Sequence, residues 1–197
     1  MNLRKYLTNL CKVDCKNSLI NTFLLPKEQH MCYPLLVGEY MLDKEFLEIV
    51  EPVLKIDEFN DTKKRKHHGI TRYDHSMNVA YITYIVCKNL NLNYKDATLA
   101  AMLHDFFNNE VATENGYKRL VDHPKVALKN AQKYFNLNDM QKDIILKHMF
   151  PITITPPKYK ESLLVSLIDK YSSVNERVYS SIEEIKELPI ISDIIYR

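Results

Sequence analysis

The chain is 197 residues long, 46% hydrophobic and 26% charged, with a formal net charge of +2. That length suits one single-core domain, the residue balance is ordinary for a globular protein, and so small a charge does not by itself point to nucleic acid. Three glycines in the whole chain argue against glycine-rich phosphate loops and hairpin-rich β folds.

The N-terminus, MNLRKYLTNLCKVDCKN, carries charges where a signal peptide needs an apolar segment. The longest apolar run, Ala80 to Cys87, is broken by Tyr and Thr and is far too short to cross a bilayer. Cys11, Cys15, Cys32 and Cys87 lack C-x-x-C pairing and read as reduced thiols, so a cytoplasmic location is expected.

In residues 1–30, Leu3, Tyr6, Leu7 and Leu10 recur at helical spacing, and Pro26 closes a second short amphipathic piece. Tyr40, Met41, Phe46, Leu47 and Val50 predict a further helix that stops near Pro52. The densest charge cluster, Lys63-Lys64-Arg65-Lys66, runs into His67-His68-Gly69. Such a run is a solvated face by default, but next to an anion-binding site it would attract phosphate.

A long helix is predicted from about Arg72 to Leu90, with Val79, Ile82, Val86 and Leu90 on its buried face and His75 in its first turn. Asn93 is a suitable cap for the next helix, which carries the apolar stretch ATLAAMLHDFFNN over 97–109. Asn108 to Lys118 reads as a loop. Asp122-His123-Pro124 has the form of a helix start continuing through Ala127, Ala131 and Phe135. Asn138 is expected to cap a helix ending near His148, with Ile144 and Ile145 apolar. Three prolines in FPITITPPK exclude a continuous helix over 150–158. The last long helix is predicted over about Lys160 to Val178, with Leu163, Leu164, Leu167, Ile168 and Tyr171 facing the core and Asp169 among them. The fold class is therefore all-α.

The chemistry is concentrated in His104-Asp105. Ala100, Ala101, Leu103 and Phe107 place this dipeptide in a core-facing segment, and burying an imidazole beside a carboxylate is costly unless both find strong partners. A divalent metal is such a partner. His75, His123, His148 and Asp169 can complete a shell, although each alone is more often a surface histidine or a cap. His30, His67 and His68 individually read as surface or outer histidines.

Taken as an ordered set, RYDHS (72–76), AAMLHDFF (100–107), DHPKVA (122–127), LKHM (146–149) and LIDK (167–170) resemble the HD superfamily of metal-dependent phosphohydrolases over roughly residues 68–175. The resemblance implies an all-helical domain over 67–180; helical spacing outside it predicts an N-terminal helical segment (1–66) packed on the core and a helical tail (181–197). It implies that His75, His104, Asp105 and Asp169 bind one divalent ion. His123 and His148 then hold a second, with Asp105 bridging; iron or manganese is the usual metal in such members. Many HD hydrolases carry a lysine three residues after the aspartate. Here that place is Asn108, which can donate a hydrogen bond but brings no charge.

An ion-held water loses its proton near neutrality, its pKa falling from about 15.7 towards 7. Phosphoryl transfer then needs positioning and charge neutralisation. Arg72, one turn before His75, is a candidate phosphate contact and catalytic helper; Lys66, Asn108, Lys125 and Lys147 are candidate substrate contacts; His68 is a candidate proton donor to the leaving oxygen. The expected substrate is a small phosphate ester or anhydride, a nucleotide foremost, with no membrane or nucleic-acid partner. The same six ligands would serve a diiron oxygenase of the HD fold acting on a small polar substrate. A non-catalytic nucleotide-binding module ranks below both.

Overall fold

The structure is a computed structural model and describes residues 43–64, 66–67, 70–108 and 115–186. The amphipathic pieces in residues 1–30, His30, Tyr40, Met41 and the end of the tail lie outside this part. Helix α1 (Lys44–Leu54) is capped by Asp43, whose carboxylate accepts from the Phe46 amide at 3.0 Å. Phe46, Val50 and Val53 are fully buried, at the spacing of one helix face. The predicted stop near Pro52 is displaced: the helix continues through Pro52 to Leu54. So close to the helix end, a missing N–H forfeits one hydrogen bond and leaves little helix to disrupt.

A short helix α2 (Asp57–Asn60) and a 3-10 turn (Asp61–Lys64) lead to an antiparallel pair, β1 (Lys66–His67) and β2 (Ile70–Thr71). This two-residue ladder is the only strand pairing among the described residues, so the domain remains all-α. Thr71 then caps α3 (Arg72–Asn89), its hydroxyl accepting from the Asp74 amide at 3.1 Å. α3 is the central element. It packs most extensively on α4 (Tyr94–Leu103) and also on α7 (Lys160–Lys186), and buries His75, Met77, Val79, Ala80, Thr83, Tyr84, Val86 and Cys87 around much of its girth. Leu90, expected inside, is 45% exposed where the helix ends. The Cys87 thiol is free and buried, and desolvation pushes its pKa up to about 12.

Asn93 caps α4 as expected, and every residue from Ala100 to Phe107 is buried. α5 (Gly116–Ala131) begins well before Asp122. Asn115 is the cap, accepting from the Lys118 amide at 3.1 Å, and Pro124 lies inside the helix. Phe135 falls beyond its end. α6 (Asp139–Lys147) starts with a reciprocal box: Asn138 and Gln141 each accept the other's backbone N–H at 2.9 Å. Ile144 and Ile145 are fully buried. Residues 150–159 form no helix, and the Phe150 carbonyl accepts from Ser166 Oγ at 2.6 Å.

α7 corrects the sequence expectation most. It runs to Lys186, and Leu163, Leu167 and Tyr171 are exposed. Its inward face consists of Ser162, Val165, Ser166, Ile168, Asp169, Ser172 and Glu176. Small serines let the backbone approach its neighbours, while the acids serve the buried centre. Of the apolar residues expected inside, Ile168 is buried and Leu164 packs on the core, so hydrophobic periodicity finds part of the inward face and misplaces Leu163, Leu167 and Tyr171. No described helix is long and apolar enough to cross a membrane.

Candidate metal centre

Five helices each bring a donor to one buried locus. His75 comes from the first turn of α3, and Asp169 from mid-α7. His104, at the C-cap of α4, is followed directly by Asp105. His123 lies within α5, and His148 is the C-cap of α6. None of the six is more than 7% exposed.

The donor atoms form two overlapping groups. His75 Nε2 lies 3.0 Å and His104 Nε2 3.7 Å from Asp169 Oδ1. Asp105 joins both groups: its Oδ2 is 4.0 Å from His104 Nε2, while its Oδ1 is 3.3 Å from His123 Nε2 and 3.6 Å from His148 Nε2. His123 and His148 meet at 2.8 Å, Nε2 to Nε2. His75, His104 and Asp169, and separately His104, Asp105 and His148, could each surround one ion.

The opposite nitrogen of every ring is already engaged. His104 Nδ1 donates to the Ala101 carbonyl at 2.6 Å and His148 Nδ1 to the Ile145 carbonyl at 2.8 Å. Both rings sit at helix C-termini, where final-turn carbonyls lack helical donors. His123 Nδ1 donates to the Arg119 carbonyl at 2.9 Å. His75 differs, its Nδ1 facing Glu176 Oε2 at 2.8 Å. A carbonyl can only accept, so these three rings carry their proton on Nδ1 and present an Nε2 lone pair inward when neutral.

This donor set fits a divalent metal. His104 Nε2 and Asp105 Oδ1 are buried without a hydrogen-bond partner among the described residues, an arrangement that calls for an ion or water. Burial together with the rings of His104 and His123 pushes the His148 pKa down to about 3, so it is neutral at physiological pH, as a ligand must be. Burial opposes ionisation of Asp105 and Asp169, yet the surrounding imidazoles hold both carboxyls well below the usual range. Burial also disfavours the charged His75 ring, but Asp169 and Glu176 outweigh it and raise the pKa to about 10.

The other sequence candidates are placed differently. The Arg72 guanidinium lies over the Phe107 ring, 3.8 Å from its centroid, and its Nη1 donates to the Phe107 carbonyl at 2.6 Å. Phe107 in turn packs on His123, ring centroids 5.0 Å apart. Arg72 thus braces the wall behind a candidate ligand. Asn108 donates to the Glu58 carbonyl at 3.1 Å, tying the segment after α4 to α2. Lys125 is exposed and paired with Asp122 at 3.1 Å. Lys147 is half-buried next to His148. The Lys66 side chain and His67 ring, and all of His68, lie outside the described part.

Two site groups escaped the sequence reading. Glu176 is 2% exposed and also accepts from Asn78 at 3.2 Å. Its seven-residue spacing from Asp169 was the available signal, since two helical turns put both on one face. Lys170 donates to the His148 carbonyl, and its Nζ lies 3.4 Å from Asp169 Oδ2. Burial lowers its pKa.

The fold and donors define a helical protein with a buried imidazole–carboxylate centre able to hold divalent metal. The HD domain family matches residues 72–174, just over half of the chain, and the chain belongs to that family. It is accordingly a member of the metal-dependent phosphohydrolase superfamily. No curated protein and no solved structure matches it.

Proposed function

We propose that the protein is a dinuclear phosphohydrolase, with iron or manganese as its resident ions, that cleaves a small phosphate ester or anhydride, a nucleotide foremost. The carrying observation is the convergence of four Nε2 atoms and two carboxylates, with Asp105 turning one oxygen to each group. In this reading His75, His104, Asp169 and Asp105 Oδ2 hold one ion, and Asp105 Oδ1, His123 and His148 the other.

Such ions supply Lewis acidity towards phosphoryl oxygens and bring the pKa of a bound water from about 15.7 to about 7. Three buried carboxylates, Asp105, Asp169 and Glu176, would still leave two divalent ions incompletely neutralised, and Lys170 stands beside Asp169. That balance favours an anionic ligand such as phosphate. Arg72 keeps Phe107 against His123. Lys125 and Lys147 flank ligand histidines in sequence, and with Lys66 and His68 before α3 they are the proposed contacts to phosphate and leaving oxygen.

The test is metal-free protein reconstituted with Mn(II) or Fe(II) and screened for phosphate release over a nucleotide panel. Release that depends on added metal and disappears in Asp105→Ala is expected. Silence across the panel, with oxygen consumption on a small polyol or phosphonate, would replace this reading with the diiron oxygenase.

A further inference from the structure

The four candidate histidine ligands do not have the same outer support. His104, His123 and His148 donate through Nδ1 to backbone carbonyls, whereas His75 is the one whose Nδ1 meets a carboxylate, Glu176, at 2.8 Å. Its ring is clamped between two acids of α7: Asp169 on the Nε2 side at 3.0 Å and Glu176 on the Nδ1 side. These acids are seven residues apart, so they share a helix face with Cα atoms about 10 Å from one another along the axis. An imidazole with an acid facing each nitrogen spans that gap, and an ion at Nε2 would take the place of any proton shared there with Asp169.

Glu176 is not free to do otherwise. It is 2% exposed, and its second oxygen accepts from Asn78 Nδ2, one turn along α3 from His75. α3 and α7 are therefore joined through two adjacent side chains meeting one buried carboxylate. A carboxylate opposite the ligating nitrogen fixes the ring tautomer and makes the imidazole a stronger donor. A backbone carbonyl supplies the first effect and much less of the second, because it carries no net charge.

We propose that Glu176 is a positioning residue for the metal centre: it holds His75 with Nε2 inward and adds a negative charge behind it. The His75–His104–Asp169 position consequently takes its ion more tightly than the His123–His148 position. The inference rests on the dinuclear reading above, and goes beyond it in making the two positions unequal and naming the residue responsible.

Calorimetric titration of metal-free wild type, Glu176→Ala and Glu176→Gln with Mn(II) alone tests it. Wild type should bind in two steps, and Glu176→Ala should weaken the tighter step by about 10–100-fold while leaving the weaker one in place. Glu176→Gln keeps the shape and an accepting oxygen but not the charge, and should lose less. A second readout is long-range 1H–15N NMR of Zn(II)-loaded protein, where the His75 Nδ1 proton should be protected in wild type and exchange rapidly in Glu176→Ala. A purely structural role would lower thermal stability without moving affinity or that proton. Unchanged Mn(II) affinity in either folded variant, with the His75 proton still protected, overturns the role of Glu176 alone. A wild type that binds no Mn(II) or Zn(II) overturns the metal centre and this inference together.

Discussion

His123 and His148 face one another Nε2 to Nε2 at 2.8 Å, with both Nδ1 atoms already committed to backbone carbonyls. Two neutral rings so arranged oppose lone pair to lone pair, and only a shared cation or proton makes the contact favourable. The 2.8 Å spacing suits a shared proton, and it suits a shared ion as the proposed function requires.

Removing either ring should therefore affect one ion. His123→Ala or His148→Ala should reduce bound metal from two per chain to one, measured by elemental analysis after reconstitution. Asp105→Ala, which takes an oxygen from each group, should lose both ions and all activity. Two ions retained in His123→Ala would show that this histidine is not a ligand.

Metal should also stabilise the fold, because the donor set converges in the folded chain and is scattered in the unfolded one. With free Mn(II) at a hundredfold excess over Kd, linkage predicts about 2.7 kcal/mol. For a chain of this size that raises Tm by about 5–10 °C. Thermal melts with Mn(II) and with chelator measure the difference; superimposed curves would contradict the site.

Glu45 predicts an acid-sensitive contact remote from the centre. Lys88 and the hydroxyls of Tyr94 and Tyr84 bond to its carboxylate, lowering its pKa from 4.5 to about 2, with Asp43 and Lys95 close by. The folded pKa lies below the unfolded one, so the contribution is present above about pH 4.5 and lost as pH falls towards about 2. Urea midpoints of chelated protein should drop more between roughly pH 6 and pH 3 in wild type than in Glu45→Gln. Parallel drops would mean the pair contributes nothing measurable.

The facing of α7 is open to a paired test. Ile168→Ala should cost about 2–5 kcal/mol, because Ile168 is buried. Leu167→Ala should stay within about 0.5 kcal/mol, because Leu167 is 46% exposed. Chemical denaturation distinguishes them, and equal penalties would put the leucine stripe back inside.

Much of the local structure was legible from residues alone. Asn93 and Asn138 mark helix starts because a capping side chain acts on amides only three residues away. The His104-Asp105 doublet stood out because polar groups amid Ala100, Ala101, Leu103 and Phe107 must be partnered if buried. Pro52 and Pro124 misled, since a helix absorbs one missing donor when its packing compensates.

Sequence by itself determined the all-α class, most of the described helices and the six side chains that the structure brings together, because caps, periodicity and an ordered motif are written over short distances. Tertiary structure alone decided that Leu163, Leu167 and Tyr171 of α7 turn outward, that Arg72 braces Phe107, and that Glu176 stands behind His75. Those outcomes depend on pairings between residues up to 101 positions apart, where the partner is set by how helices pack and not by either residue's neighbours in the chain.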